Sequence, residues 1–127
     1  MGRNNEIGAR GEELACEALT KKGFDIVERN WRRGKNEVDI IAYKEGIIIF
    51  VEVKTRGNTD YGEPETFVDL AKQRAYVKMA NAYVIENRRT EDVRFDVIAI
   101  TNKPDGPELK HLENAFTAIE VNLTRRR

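Results

Sequence analysis

The stretch NEVDIIAYKEGIIIFVEVKT, Asn36–Thr55, decides the fold. It contains two apolar runs, Asn36–Tyr43 and Ile47–Thr55, separated by Lys44–Gly46. This pattern predicts two strands joined by a tight hairpin turn. The second run is apolar at nearly every position, which is typical of a central strand covered on both faces. The stretch therefore predicts a sheet with other elements packed on each side.

The segments around this hairpin have their own periodicity. They are a helix over Ile7–Lys22, a strand over Phe24–Trp31, a basic turn over Arg32–Lys35, a long helix over Phe67–Asn87 and a strand over Val93–Ile100. Gly23 supplies a stop for the first helix, and Thr66 can cap the long one. The segment ELKHLENAF at residues 108–116 is ambiguous. The order α-β-β-β-α-β predicts an α/β fold with a mixed central sheet flanked by helices.

Composition limits the class of protein. A chain of 127 residues suits a single domain over residues 1–127, with residues 1–5 and 122–127 expected to be flexible. The single cysteine, Cys16, excludes an internal disulfide and a multi-cysteine zinc site. With no apolar leader and no apolar run of membrane length, we expect a cytoplasmic protein without a membrane partner. The net charge is zero, so any nucleic-acid site must come from a local patch.

Charged residues at the end of the central strand carry the chemistry. In a regular strand, Ile48, Phe50, Glu52 and Lys54 share one face. Burying Glu52 and Lys54 there costs several kcal/mol each, roughly, unless they are paired or bind an ion. Two charged residues at this position therefore need a partner.

Asp39 is the predicted partner. If Glu45 and Gly46 form a two-residue turn, Asp39 falls opposite Glu52, with the two Cβ atoms about 5 Å apart. Two such carboxylates repel each other unless a cation lies between them, and Mg²⁺ or Mn²⁺ prefers oxygen ligands. Lys54 can then orient or activate a water at the metal, or stabilise charge in a phosphoryl transition state. The alternative is a surface ion cluster in which Lys54 neutralises the two carboxylates.

The same residues carry a family resemblance. The order Asp…Glu-x-Lys, here Glu37-Val38-Asp39 and Glu52-Val53-Lys54, resembles the PD-(D/E)XK nuclease superfamily. The segments GARGEELACEAL, ERNWRRGKNEVDIIA, IIFVEVKTR, KQRAYVKMANAY and RFDVIAI resemble uncharacterised protein family 0102, the YraN-like proteins, over nearly the whole chain. One departure is Asn36, where that family usually has glycine. The resemblance implies a restriction-endonuclease-like fold, similar to archaeal Holliday-junction resolvases, and does not establish an activity.

Glu12 is a further candidate metal ligand on the first helix. At about 100° per residue, Glu13 points away from the apolar stripe and Glu12 lies at its edge, so Glu12 is better placed to reach the sheet. The resemblance supports this choice, because related nucleases carry a comparable helix carboxylate. The alternative is an acid near the helix N-terminus that is favoured by the helix dipole alone.

Several polar side chains can form a positive rim for backbone phosphates, without reading sequence. They are Arg32, Arg33, Lys35, Arg56, Lys72, Arg74 and Lys78. The resemblance adds Gln73, because relatives often supply an auxiliary polar residue at Lys72-Gln73. For each of these the alternative is a solvated surface position. Trp31 is expected in the core or an interface rather than stacked on bases.

Other polar residues receive structural interpretations. Asp96 is expected to pair with an arginine, and neither His111 nor Cys16 receives a catalytic role, because no Cys/His arrangement is evident.

Three functions remain open from sequence. The first is a metal-dependent nuclease acting on DNA, with branched or processed DNA as the candidate substrate. Asp39, Glu52 and Glu12 would hold Mg²⁺ or Mn²⁺, and Lys54 would assist the attacking water. The second is a nucleic-acid-binding module that keeps the nuclease fold without turnover. The third is a structural or assembly protein. By analogy with resolvases, which pair their sites, a homodimer is plausible.

Overall fold

The computed structural model describes residues 3–56 and 69–118, with side chains described from residue 10 onward. The elements are α1 (Arg3–Lys21), β1 (Asp25–Arg33), β2 (Asn36–Lys44), β3 (Ile47–Arg56), α2 (Leu70–Glu86), β4 (Asp92–Lys103) and β5 (Gly106–Phe116). The strands form one sheet in the order β1-β2-β3-β4-β5, in which β3 and β4 are parallel and the other neighbours are antiparallel. The predicted α/β class, a mixed central sheet flanked by helices in restriction-endonuclease-like order, is confirmed.

The β2–β3 hairpin has the predicted two-residue turn. Lys44 pairs with Ile47, and both residues between them have positive φ, 50° at Glu45 and 82° at Gly46. Positive φ at both central positions is typical of the turn whose twist matches that of an antiparallel pair. This turn fixes the register that brings the chemically important ends of β2 and β3 together.

The sheet is covered by one helix on each face. The core on the α1 face contains Ala15, Leu19, Phe24, Ile40, Ala42, Ile49, Val51, Ile98 and Ile100. The core on the α2 face contains Val38, Ile41, Ile48, Phe50, Tyr76, Val77, Met79, Ala80, Tyr83, Phe95, Val97 and Phe116. Strand β3 contributes to both cores, which explains why its sequence is apolar on both faces. No helix within the described ranges is long and apolar enough to cross a bilayer.

Strand β5 occupies the segment that the sequence pattern left ambiguous. Leu109, Leu112 and Phe116 are spaced by three and four residues, which imitates a helix. Leu109 packs on the core under α1 and Leu112 on the core under α2, so the spacing of three reflects burial on both faces of a strand in regular register. The β4–β5 pairing becomes irregular only between Leu112 and Phe116, where Asn114 has a φ of 54°. A strand with such an interruption loses the alternation of two that identifies strands in sequence.

Helix α2 starts later than its predicted cap. Its N-cap is Asp69, whose carboxylate accepts a hydrogen bond from the Lys72 N–H at 2.9 Å. Thr66 and Phe67, the predicted cap and first helical residue, lie outside the described residues. The buried face consists of Tyr76, Val77, Met79, Ala80 and Tyr83.

Strand β1 is longer than predicted. It continues through Arg32 and Arg33, which pair with Glu37 and Asn36, and the turn that follows contains Gly34 with a φ of 59°. Two arginines assigned to the basic turn are therefore strand residues.

Asp96 is a buried ionic centre on β4. The Arg94 guanidinium donates two hydrogen bonds of 2.9 Å to it, the His111 Nε2 lies at 2.8 Å and the Asn114 N–H donates at 3.0 Å. Burial opposes ionisation of Asp96, but the hydrogen bonds from His111 and Arg94 outweigh burial and hold its pKa below the ordinary value. The predicted arginine partner is confirmed.

Candidate functional site

Asp39 lies where β2 departs from regular strand geometry. On the β3 side, the ladder of paired residues ends at the Ile40–Val51 pair. Ile40 packs in the core under α1, whereas Val38, two residues earlier, packs in the core under α2. Because residues two apart in a regular strand share a face, the change of face places an irregularity at Asp39.

Contacts from outside the ladder hold Asp39 at this irregularity. Its N–H donates to the Tyr76 hydroxyl at 3.2 Å, and its Oδ2 accepts from the Val53 N–H at 2.8 Å. The Tyr76 hydroxyl in turn donates to Glu52 Oε1 at 2.7 Å. Tyr76 comes from α2 and is 1% exposed, so this hydroxyl is a buried link between the β2 backbone and the Glu52 carboxylate.

Glu52 occupies the predicted face of β3. Ile48 and Phe50 pack under α2, and Glu52 continues on that side with only 5% exposure. Its Oε2 lies 3.8 Å from the Lys72 Nζ. The buried Glu52 carboxylate is stabilised by a hydrogen bond from the Tyr76 hydroxyl and by the nearby positive charge of Lys72.

Lys54 lies two residues further along the same strand. It is half-buried and adjacent in the ladder to Ala99 of the parallel strand β4. The alternation of β3 places its side chain on the face of Glu52, as predicted.

Three carboxylates converge near Glu52 and Lys54. Oxygen atoms of Glu12 on α1, Glu37 and Asp39 on β2 all lie within 4.8 Å of one another, and all three residues are half-buried. Ligands on opposite sides of a Mg²⁺ ion are about 4 Å apart, because each bond is about 2.1 Å long. The group therefore fits a hard divalent cation after small side-chain adjustments. Glu12 and Asp39 are two of the predicted ligands, and Glu37 is an acid that was not predicted as one. Glu52, the other predicted ligand, is not a member of this group.

The electrostatics of Asp39 reflect this crowding. Burial, followed by the negative charge of Glu52, raises the pKa of Asp39 from 3.8 to about 8, and Glu12 and Glu37 act in the same direction. The Val53 N–H opposes these effects because it stabilises the ionised form. Burial and the charges of Asp39 and Glu52 also raise the pKa of Tyr76 well above its ordinary value. A cation bound among these groups would relieve the repulsion that raises both pKa values.

A polar cavity opens on the α2 side of the acidic group. It has a volume of about 250 Å³ and is lined by Lys35, Asn36, Glu37, Asp39, Lys72, Ala75 and Tyr76. One wall therefore carries two of the converging carboxylates, and the lysines come from the β1–β2 turn and from α2. Such a cavity can accept an anionic group and hold it against a cation on the acidic wall.

The predicted basic rim divides into separate sets. Lys35 and Lys72 line the cavity, and the Arg32 Nη2 lies 3.4 Å from Glu37 at its edge. The other predicted members, which are not among the cavity-lining residues, are Arg33, Arg56, Gln73, Arg74 and Lys78.

Arg33 contacts both β1 and α2. Its guanidinium lies 4.8 Å from the centre of the Trp31 ring and hydrogen-bonds to Glu86 at the end of α2. Trp31 meets the Tyr83 ring edge to face at 5.3 Å, which confirms that it packs on the core. These contacts join β1 to α2 through an ion pair at the surface.

Three residues of the site were not predicted from the sequence. Glu37 completes the acidic group, Tyr76 links Asp39 to Glu52, and Asn30 donates to Glu12 and Glu37. Glu37 carried a visible signal, because it is an acid two residues before Asp39. Asn30 and Tyr76 carried none, since their roles depend on the irregularity in β2.

Comparisons with known proteins agree with this structure. The model of the uncharacterised protein family UPF0102 matches residues 11–100. A UPF0102 protein of Flavobacterium psychrophilum is 46% identical over 116 residues, which cover 91% of this chain and 98% of that protein. UPF0102 proteins of Dictyoglomus turgidum and Rhodococcus opacus are 44% and 42% identical, over 89% and 91% of this chain and 98% and 100% of their own lengths. The chain belongs to the UPF0102 family.

Proposed function

We propose that this protein is a Mg²⁺- or Mn²⁺-dependent nuclease that hydrolyses phosphodiester bonds in DNA. The observation that carries the proposal is the 250 Å³ cavity, which is lined by the acids Glu37 and Asp39 and by Lys35 and Lys72. A phosphodiester needs both kinds of group, because cations must balance its charge and acids must hold the metal.

Asp39, Glu12 and Glu37 are the proposed metal-holding residues, with Glu52 next to them through Tyr76. A divalent cation bound there supplies an activated water and balances the negative charge that develops on the phosphate. The pKa of about 8 for Asp39 supports this assignment, since the fold alone does not compensate the ionised carboxylate.

The lysines have distinct proposed roles. Lys54 shares the face of Glu52, so it assists the attacking water or the developing charge at the scissile phosphate. Lys35 and Lys72 hold the phosphate in the cavity. Lys72 is 47% exposed and lies 3.8 Å from Glu52, so it is placed to meet a bound phosphate at the cavity.

DNA is the proposed partner, and branched or processed DNA is the proposed substrate class. The zero net charge predicts weak binding to a uniform DNA duplex. A branch or processed site in the DNA must therefore offer contacts in addition to those with the phosphate backbone. A homodimer in the cytoplasm, with paired sites acting on two strands, would supply such contacts.

A DNA-binding module without turnover is the second candidate. One observation favours it: the Glu52 carboxylate is engaged by Tyr76 at 2.7 Å and faces Lys72 at 3.8 Å, outside the group of three converging acids. If Glu52 stays so engaged, the site lacks a ligand for catalysis and retains its phosphate-binding lysines.

Cleavage assays separate the two candidates. Wild type, Asp39→Asn and Lys54→Ala are incubated with duplex, single-stranded and four-way-junction DNA, with Mn²⁺ or with EDTA. Asp105→Asn, in the exposed β4–β5 turn, and Lys21→Ala, at the exposed end of α1, are controls with the same charge changes. The nuclease proposal expects Mn²⁺-dependent cleavage by wild type and both controls, and a loss of at least about 100-fold in both site variants.

Binding without cleavage by wild type would favour the module. Absence of binding, cleavage and Mn²⁺ uptake would exclude both and leave a structural or assembly role.

A further inference from the structure

Asn30 stands beside Asp39 on the neighbouring strand. In the β1–β2 ladder, Arg29 pairs with Ile40 and Trp31 with Val38, so Asn30 and Asp39 lie between these two pairs. Asn30 has a φ of 52°, in the left-handed region. Asparagine tolerates this conformation better than most residues, and here the conformation turns the side chain out of the regular alternation of β1.

The Asn30 amide contacts two acids from different elements. Its Nδ2 donates to Glu12 Oε1 at 3.0 Å and to Glu37 Oε2 at 2.5 Å. A side-chain amide has two N–H hydrogens, so one nitrogen can serve both carboxylates at the same time. Asn30 thereby ties α1 to β2 at the point where their acids approach Asp39.

The chemical type of this donor matters. A lysine or arginine at position 30 would satisfy the same oxygens, but its positive charge would neutralise the acids and compete with a metal ion. A neutral amide orients Glu12 and Glu37 while leaving their full negative charge. Each carboxylate also has a second oxygen, and Oε1 of Glu37 lies 3.4 Å from the guanidinium of Arg32, which is 76% exposed.

We propose that Asn30 is a positioning residue that orients Glu12 and Glu37 for divalent-cation binding. The inference rests on the proposed function, because it assumes that these acids bind a metal. It goes further by assigning the geometry of the metal site to an uncharged residue on β1. Hydrogen-bond partners of metal ligands typically change metal affinity by about 10- to 100-fold when removed.

The test uses a matched pair of substitutions at left-handed backbone positions. Asn30→Gly removes the amide and keeps a residue that accepts the positive φ. Asn114→Gly makes the same change in β5, where φ is 54°, outside the acidic group. Mn²⁺ affinity is measured by calorimetry on the full chain without DNA, and folding is checked by thermal unfolding in EDTA.

We expect Asn30→Gly to weaken Mn²⁺ binding by about tenfold or more and Asn114→Gly to leave it within about twofold of wild type. In a Glu12→Gln/Glu37→Gln background, Asn30→Gly should have no further effect on Mn²⁺ affinity, because its two targets are already altered. A purely structural role would instead lower the unfolding temperature by the same amount in both backgrounds and leave Mn²⁺ affinity unchanged.

Two failures are distinguishable. If wild type binds Mn²⁺ and cleaves DNA but Asn30→Gly binds Mn²⁺ equally well, the positioning role is wrong and the nuclease proposal stands. If wild type binds no Mn²⁺, the metal site itself is wrong and the role of Asn30 falls with it.

Discussion

Replacing Asp39 by asparagine should stabilise the metal-free protein at alkaline pH. Asp39 is crowded by burial and by the charges of Glu52, Glu12 and Glu37, which raise its pKa from 3.8 to about 8. Asparagine removes one negative charge and keeps an oxygen that can accept from the Val53 N–H, which donates to Asp39 at 2.8 Å. The substitution therefore removes the repulsion with little change in shape.

The sign follows from linkage between protonation and folding. Because the pKa of Asp39 is higher in the folded than in the unfolded chain, its contribution to stability is complete below about pH 4 and is lost as the pH rises through about 8. Each pKa unit corresponds to about 1.4 kcal/mol, so the loss has an upper bound of about 6 kcal/mol. Salt and local relaxation reduce this loss of stability. Between pH 4 and pH 8.5 we therefore expect the free energy of unfolding of Asp39→Asn to gain about 2–4 kcal/mol relative to wild type.

Urea unfolding in EDTA at pH 4, 6 and 8.5 measures this difference. Saturating Mn²⁺ at pH 8.5 should raise the stability of wild type far more than that of Asp39→Asn, because the cation replaces the missing compensation. Asp105→Asn, in the exposed turn after β4, serves as control and should follow wild type. Parallel pH profiles for wild type and Asp39→Asn would refute the crowding of Asp39.

Three further substitutions test particular contacts. Tyr76→Phe keeps the ring but removes the hydroxyl that contacts the Asp39 N–H and the Glu52 carboxylate. Urea unfolding should show a loss of about 1–3 kcal/mol of stability. An unchanged unfolding midpoint would contradict the buried link. Arg94→Met removes two hydrogen bonds from the fully buried Asp96 and should cost about 3 kcal/mol at pH 7; an unchanged unfolding midpoint would contradict this ion pair. Gly11→Ala brings a Cβ atom against Thr55 Oγ1 and should destabilise the protein by about 1–3 kcal/mol. Adding Thr55→Ala to this variant should recover most of the lost stability if this contact causes the loss.

The sequence predicted the hairpin and the sheet well, because the signals there were local. Glu45 and Gly46 form a turn typical of hairpins, and the apolar run of β3 reflects burial under both helices. Strand β5 was ambiguous for a physical reason. Its apolar residues Leu109 and Leu112 are buried on opposite faces, and the pairing is irregular near Asn114, so no simple alternation identifies the strand.

The candidate site was predictable in part. The register that follows from the β2–β3 turn brings Asp39 to the level of Glu52, and the helix geometry of α1 correctly favoured Glu12 over Glu13 as the acid nearer the sheet. Glu37 was missed as a member of the acidic group. The regular alternation used for the sequence does not hold at Asp39.

The long-range contacts of the site could not be predicted from local patterns in the sequence. Tyr76 lies 37 positions from Asp39 and reaches it only because α2 packs over the end of β2. Asn30 reaches Glu12 and Glu37 because of its left-handed backbone, which no spacing in the sequence indicates. Such contacts depend on how elements pack, so they appear only in the folded structure.

The most direct measurement is a crystal of the wild-type protein soaked in Mn²⁺ and recorded for anomalous scattering from manganese. We predict a single strong peak among Glu12, Glu37 and Asp39, about 2.2 Å from an oxygen of Asp39, and its loss in crystals of Asp39→Asn. No peak at this position, or an equal peak in Asp39→Asn, would contradict a metal centre built on Asp39.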